Sequence, residues 1–464
     1  MGARGRRRAR HVRRVGPQGA LVRPRTADPR RDRRRAHAER DAGPGARARA
    51  GAGGRAGRAG RHRARLPDRR RRRVGRRGRG QLRGDRRRAG SGGRIVSTSV
   101  VLGDDQRDIR DVARRFLTAR YPADVVRAGL RASGSPDPSG WRELCELGWP
   151  GIALPEDRGG AGYSTVERCL VLEEAGHVLL PEPLLSCGVL AADALALAAG
   201  GAEADALLAR VVDGDVRAVL VAAGDLLGGA EPHGAVHADG GSLQGDGGLV
   251  PDADRAEVLL VAARGADGAT GLYAVARDDP GVTVAPLPLV DETRGHAVVT
   301  LQGAAAQPLG DGDATSALRT VLDRGAIALA AEMIGGAQQA VQMTLAYLRE
   351  RHQFGVPIGS FQALKHRMAD LHVAVVAARE SVYLAAEADD GRQDALLGAL
   401  ASAAKVAAGE AFVRAGAEGI QMHGGIGMTH EADPHLYYKR ALVSAATLGT
   451  TAGHRERVAR ALDA

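Results

Sequence analysis

The positive charge of this chain is confined to one end, and that decides which part of it can fold. The 464 residues carry a formal net charge of +12, yet residues 1–95 alone hold 35 Arg, no Lys and six acids, a local charge of +29. Residues 96–464 are therefore acidic, at −17. The basic segment is almost wholly Arg, Gly, Ala and Pro, as in RRRRRVGRRGRGQLRGDRRR at 69–88, with no Phe, Tyr or Trp. It has too little apolar area to offset the entropy of ordering, so disorder is expected there. Three readings of it stand open. It could bind nucleic acid through phosphate charge, or be an Arg-rich, acid-poor targeting peptide. All four dominant residue types also have GC-rich codons, so it could be an upstream region translated in error, with the native start near Val96 or Thr98. The acidic body argues against a nucleic-acid role for the rest.

The body is long enough for two or three domains. Its cysteines, Cys145, Cys169 and Cys187, form no CxxC pair, which fits unpaired thiols in a reducing cytoplasm and no structural zinc. No run of 18 apolar residues occurs, so no membrane span is expected, and no signal peptide is legible.

Three regions differ in periodicity. Residues 100–215 read as a helical domain: Ile109, Val112, Phe116 and Leu117 recur at helical spacing behind Asp104 and Asp105, placed to cap the start. The Gly- and Pro-rich stretch 148–164 is a loop before a second helix from Thr165. Residues 216–308 carry short apolar, β-branched runs separated by Gly- and Asp-rich turns, the pattern of an antiparallel barrel or sandwich. Residues 315–464 are helical again. Leu318, Leu322, Leu329, Met333, Ala337, Val341, Leu345 and Leu348 form one stripe; Leu364, Met368, Leu371, Val375, Ala378 and Val382 form another. With segments 394–420 and 435–463 they predict a four-helix bundle. The fold class expected is thus α+β, mostly α.

Two segments carry polar chemistry. In RERHQFGVPIGSFQALKHRMAD (349–370), Arg351, Gln353 and Gln362 are donors near helix ends beside the ring of Phe354, a set suited to an anionic, partly aromatic ligand such as a nucleotide pyrophosphate. An ordinary interhelix turn is the alternative. In IQMHGGIGMTHEADPH (420–435), Gly424, Gly425 and Gly427 would let backbone approach a ligand; a helix C-cap is the alternative. His430 and His435 are five apart with Pro434 between them, which is not a zinc-binding spacing.

Taken together, 148–164, RxQFGxPIxxFQxxKHxxAD, DETR (291–294) and QxHGGIGxTxExxxHLYYKRA resemble the acyl-CoA dehydrogenase family over roughly residues 100–464. The resemblance implies a flavoprotein with a helical domain, a β domain and a helix bundle, oxidising an acyl-CoA thioester to the 2,3-enoyl-CoA. A carboxylate removes the α-proton and the β-hydrogen leaves as hydride to FAD. FAD lies at a subunit interface, where the neighbour's Arg-x-x-Phe-Gly and Gln-x-x-Gly-Gly segments grip pyrophosphate and adenine. Those segments match Arg351, Phe354, Gly355, Gln421, Gly424 and Gly425, with Gln353 between, and Gln362 matches an adenine-side position. An electron-transfer flavoprotein is the implied acceptor.

Two departures stand out against the family pattern. The Glu-Gly-Thr-x-Gln turn that carries the base in many members corresponds here to Leu448, Gly449, Thr450, Thr451 and Ala452: the turn is kept, with Thr450 a cofactor-side residue, and the acid and the Gln are gone. The alternative base position, on the first bundle helix, is Gly325. In addition, 222–250 matches neither β-domain segment that holds the flavin ring. The expected arrangement is a hetero-oligomer whose paralogous partner supplies the base and ring pocket. The rivals are a displaced base, Asp323 or Glu332, and a non-catalytic structural or binding subunit of the same fold. A bulky acyl group such as a steroid side chain is expected by analogy.

Overall fold

The structure is a computed structural model describing residues 102–131, 138–222, 235–390 and 394–463. The Arg-rich segment, and with it every reading of residues 1–95, lies outside the described residues, as does the stretch 223–234.

The first region holds six helices: α1 (Asp104–Arg120), α2 (Ala123–Arg131), α3 (Pro138–Glu146), α4 (Thr165–His177), α5 (Ala192–Leu197) and α6 (Ala202–Val212). Asp104 and Asp105 do not cap α1. They lie in its first turn, near the positive end of the helix dipole, while Gln106 Oε1 accepts from the Gly103 N–H at 3.0 Å. α4 starts with a capping box: the Ser164 N–H donates to Glu167 at 2.8 Å, and Ser164 Oγ accepts from the Val166 N–H. A π-helical turn, Ser186–Ala191, leads into α5.

The sheet comprises β1 (Ala218–Val221), β2 (Val236–Asp239), β3 (Ser242–Pro251), β4 (Val258–Arg264), β5 (Thr270–Ala276), β6 (Val282–Pro286), β7 (His296–Ala305) and β8 (Gln307–Pro308), in the order β6-β7-β3-β2-β4-β5-β8. It is antiparallel apart from two parallel pairings: β1 with β4, from Ala218↔Val258 to Val221↔Val261, and the His237↔Arg264 bridge. The sequence of β1, AVLV, is continuously apolar because both its faces are covered. Strand alternation sends Ala218 and Leu220 into the helical core and Val219 and Val221 into the core of the sheet. β4 divides in the same way, Leu260 and Ala262 to one side and Leu259, Val261 and Ala263 to the other.

The last region contains α7 (Thr315–Glu350), the hairpin strands β9 (His352–Gln353) and β10 (Val356–Pro357), α8 (Gln362–Asp390), α9 (Asp394–His423), α10 (Pro434–Ala446) and α11 (Thr451–Leu462). The two stripes read from the sequence are buried throughout except for half-buried Leu345 and Leu364. The segment expected as one helix over 435–463 is two, broken by the turn at Thr447–Thr450. Leu396–Met428, spanning most of α9 and the turn beyond it, is the one described helix long and apolar enough to cross a membrane. Its buried residues Ala401, Ala404, Ala408 and Phe412 pack in the bundle. α4 crosses α7 at glycines. A Cβ on Gly176 would sink into the Glu332 carbonyl, and one on Gly335 into the Glu173 carbonyl, so the two backbones meet without side chains between them.

Candidate functional site

The polar residues expected to meet a ligand fall in two places. The first is the end of the bundle where α7 stops. The Arg351 N–H donates to Tyr347 O at 2.9 Å, and Arg351 O accepts from the Ile358 N–H at 2.8 Å. Between these bonds β9 and β10 form a hairpin, with Gln353 opposite Val356. Its two loop residues, Phe354 and Gly355, have φ of 54° and 80°. Positive φ at both positions is what a tight two-residue hairpin with the sheet's natural twist requires. Glycine takes it freely; for Phe354 it costs about 1 kcal/mol. Phe354 is nevertheless 89% exposed, touching the Phe361 ring edge to face at 6.1 Å. Gln362 opens α8 beside it, and Arg351, Gln353 and Gln362 are all exposed.

α9 ends at the same place. The Tyr347 and His423 rings stack at 4.3 Å, and the Tyr347 hydroxyl donates to His423 O at 3.3 Å. Exposed Gln421 lies in the last turn of α9, and the chain leaves through Gly424, φ 66°, and Gly425, with open space where a Cβ would stand on either. One guanidinium, three carboxamides, an exposed ring and two bare glycines form a donor set that fits the pyrophosphate and adenine of a dinucleotide.

The second place is the α10–α11 turn, one of the two positions that the sequence resemblance aligns with a base. Leu448 has φ 57° and Gly449 φ 97°. Buried donors hold this strained turn by its carbonyls: Lys405 Nζ donates to Ala445 O at 3.1 Å and to Gly449 O at 2.8 Å, and His454 Nε2 lies 2.8 Å from Leu448 O. Since a carbonyl only accepts, Nε2 carries the proton. Burial lowers the Lys405 pKa to about 8, and burial followed by the Lys405 charge lowers that of His454 to about 4. Thr450 caps α11, its hydroxyl oxygen accepting from the Gly453 N–H at 3.1 Å.

The other family base position converges on the same spot. A Cβ built on Gly325 would come within 3.2 Å of Leu448 Cδ1 and would collide with Leu190 Cδ2. The Leu190 and Leu448 side chains thus close over Gly325, at the positions that the sequence resemblance aligns with a base. Neither of the rival acids is free to act there. Glu332 Oε1 accepts from Arg440 at 2.8 Å and Oε2 from Arg294 at 2.5 Å. Burial would raise its pKa, but the two guanidinium groups outweigh burial and hold it below its ordinary value. Asp323 Oδ1 accepts from Arg457 at 2.7 Å; its pKa is raised by burial, with the Arg457 charge opposing. The remainder of the Arg440 cluster is equally buried: Nε donates to Asp291 Oδ2 at 2.7 Å and to Thr293 Oγ1 at 2.9 Å.

The two places lie far apart. Lys405, at the turn, and Gln421 are 16 residues apart on α9, about 24 Å of helix. Thr450 therefore stands away from the other expected cofactor contacts. Sequence reasoning missed Leu190, Tyr347, His423 and Lys405. Lys405 did leave a signal, as the lone basic residue in the small, apolar run ASAAKVAAGEA of α9.

Comparison with known proteins shows the family. The acyl-CoA dehydrogenase N-terminal domain matches residues 103–215 and the C-terminal domain residues 314–462. The chain belongs to the acyl-CoA dehydrogenase family, FAD-dependent oxidoreductases acting on CH–CH bonds. It is 35% identical over 346 residues to acyl-CoA dehydrogenase IpdE2 of Mycobacterium tuberculosis, covering 74% of this chain and 93% of that one. The Tcur3481–Tcur3483 steroid ACAD variant superposes with a TM-score of 0.69 at 32% identity, over 78% of this chain and 99% of the other. The ChsE4-ChsE5 complex from Mycobacterium tuberculosis gives a TM-score of 0.70 at 27% identity, over 78% and 98%.

Proposed function

We propose that this chain is the base-less subunit of a hetero-oligomeric, FAD-dependent acyl-CoA dehydrogenase. The observation carrying the proposal is the meeting of Leu448, Gly325 and Leu190 at the place where the family holds its carboxylate. A thioester α-proton needs a positioned base, and loss of a general base costs on the order of 10²–10⁴ in rate. A paralogous partner supplies that carboxylate and the pocket for the flavin ring. This chain contributes Arg351, Gln353, Phe354, Gln362, Gln421, Gly424 and Gly425 across the interface. Arg351 would pair with the pyrophosphate, the carboxamides would serve adenine and phosphate oxygens, and the bare glycines would admit the ligand close to the backbone.

When bound, FAD supplies the acceptor for the β-hydride, while the α-proton passes to the partner's carboxylate and the C2–C3 double bond forms. An electron-transfer flavoprotein is the electron acceptor proposed. The separation of the two places fits this division: the α7 end would hold FAD for the partner's site, and the Leu448 turn would lie beside a site without a base. The related ChsE4-ChsE5 and Tcur3481–Tcur3483 structures each name two components, and the second is called a steroid enzyme. A bulky, steroid-derived acyl-CoA is accordingly the substrate class proposed, and a reducing cytoplasm the compartment, in keeping with three free, buried thiols.

Co-expression with a paralogous subunit that carries the family's glutamate tests the proposal. A yellow complex with one FAD per pair of subunits, and a colourless chain when expressed alone, is the expected result. Stoichiometric FAD and acyl-CoA turnover in the lone chain would sink it. A complex colourless in every combination would favour the structural subunit instead.

A further inference from the structure

We infer that Tyr347 and His423 are the positioning residues that join the two halves of the FAD grip. The inference rests on the assignment of Arg351 and Gln421 to FAD. One residue, Tyr347, touches both segments. Its carbonyl accepts from the Arg351 N–H at 2.9 Å, which fixes where α7 ends and the hairpin begins. Its hydroxyl reaches the His423 carbonyl at 3.3 Å and its ring lies on the His423 ring at 4.3 Å, with the planes 23° apart.

His423 ends α9 and leads into the 3-10 turn Gly424–Met428, and its carbonyl accepts from the Tyr347 hydroxyl. His423 is itself fixed, because Nδ1 lies 2.7 Å from Gly419 O and must carry the proton that this bond uses. Burial lowers the His423 pKa, with the Gly419 bond opposing, so the ring stays neutral against tyrosine. The next residue, Gly424, turns left-handed and starts the segment that presents Gly424 and Gly425. The stack therefore sets the distance between the guanidinium side and the glycine side of the grip. Neither Tyr347 nor His423 has to touch the cofactor to do this.

The test uses the co-purified complex and measures the dissociation constant for FAD, the acyl-CoA KM and the melting temperature of the FAD-free complex. Tyr347→Leu and His423→Leu should each weaken FAD at least about tenfold with acyl-CoA KM unchanged. His423→Phe, which keeps a stacked ring, should restore most of the affinity. Tyr347→Phe, a milder change that removes only the hydroxyl, should cost roughly fivefold. Arg351→Met serves as the control. If Arg351→Met weakens FAD but both leucine variants stay within about twofold of the parent, this inference fails alone. If Arg351→Met has no effect either, the assignment of the grip to FAD fails with it. A fall in melting temperature without a change in FAD affinity would also overturn the positioning role.

Discussion

Arg440 Nη1 donates to Glu332 Oε1 at 2.8 Å, and both side chains are almost fully buried. This contact joins α10 to α7, and Asp291, Thr293 and Arg294 bring the end of the β domain into the same cluster. Two guanidinium groups face two carboxylates. Arg440→Met would leave Asp291 without its guanidinium and Glu332 with only one. Breaking a buried pair from one side costs about 3–5 kcal/mol, and chemical denaturation of the complex should show a loss of that size. Arg440→Lys should recover little, since one ammonium cannot replace a planar fork that contacts three side chains and two carbonyls.

The crossing of α4 and α7 predicts a strong response to one methyl group. Gly335→Ala would drive a Cβ into the Glu173 carbonyl. Backbone on both sides leaves nothing flexible to yield, so the cost should be about 3 kcal/mol. Gly129→Ala is the comparison: a Cβ there meets nothing within 4 Å, and thermal melting should detect little change.

Stability should fall in mild acid, with a defined offset. His296 and His454 are each lowered to about 4: His296 by burial and then Arg294, His454 by burial and then Lys405. Both stay neutral in the folded chain down to about pH 4, whereas in the unfolded chain they take up protons below their ordinary value of about 6.5. Each therefore contributes stability above that value, on the order of 3 kcal/mol, that is lost as pH falls toward 4. Glu182 acts in the opposite sense. Burial raises its carboxyl to about 7, so the folded state binds its proton first and gains on acidification between about 7 and the ordinary carboxylate range. Urea midpoints at pH 7 and pH 5 should show a net loss, and Glu182→Gln should make that loss steeper. A midpoint that does not move in either protein would contradict the assignment.

Restoring the acid alone should not restore catalysis. Leu448→Glu would put a carboxylate on a turn already held by Lys405 and His454, but against Leu190 and, under the proposed division, with the flavin-ring pocket in the partner. The isolated variant should show no acyl-CoA turnover above the parent and a lower melting temperature, because a charge replaces a half-buried hydrocarbon. Turnover by the lone variant would mean that the base was the only missing part.

Much of the scaffold is legible in the sequence because period carries it. The Leu318 to Leu348 and Leu364 to Val382 stripes are buried nearly as written, and the alternating runs of 216–308 became strands. Gly325 and Leu448 could be located by counting along the chain, but only the fold shows that they touch, since 123 residues separate them. The parallel β1–β4 pairing was hidden, because an apolar run such as AVLV states that both faces are covered and not which strand lies beside it. The break at 447–450 was blurred, because the Leu448 side chain conceals a left-handed backbone usually signalled by glycine. Glu332 resembled a free acid only while Arg294 and Arg440, 38 and 108 residues away, were out of view.

β1 and β4 each turn alternate residues toward different cores. Cutting the chain at residue 215, where its composition changes, would strip Ala218 and Leu220 from the helices that precede them while Val219 and Val221 stay in the sheet. Each fragment would be left with an unroofed apolar face. The helical front and the β region should consequently melt together in one transition, and neither should remain soluble when expressed apart from the other.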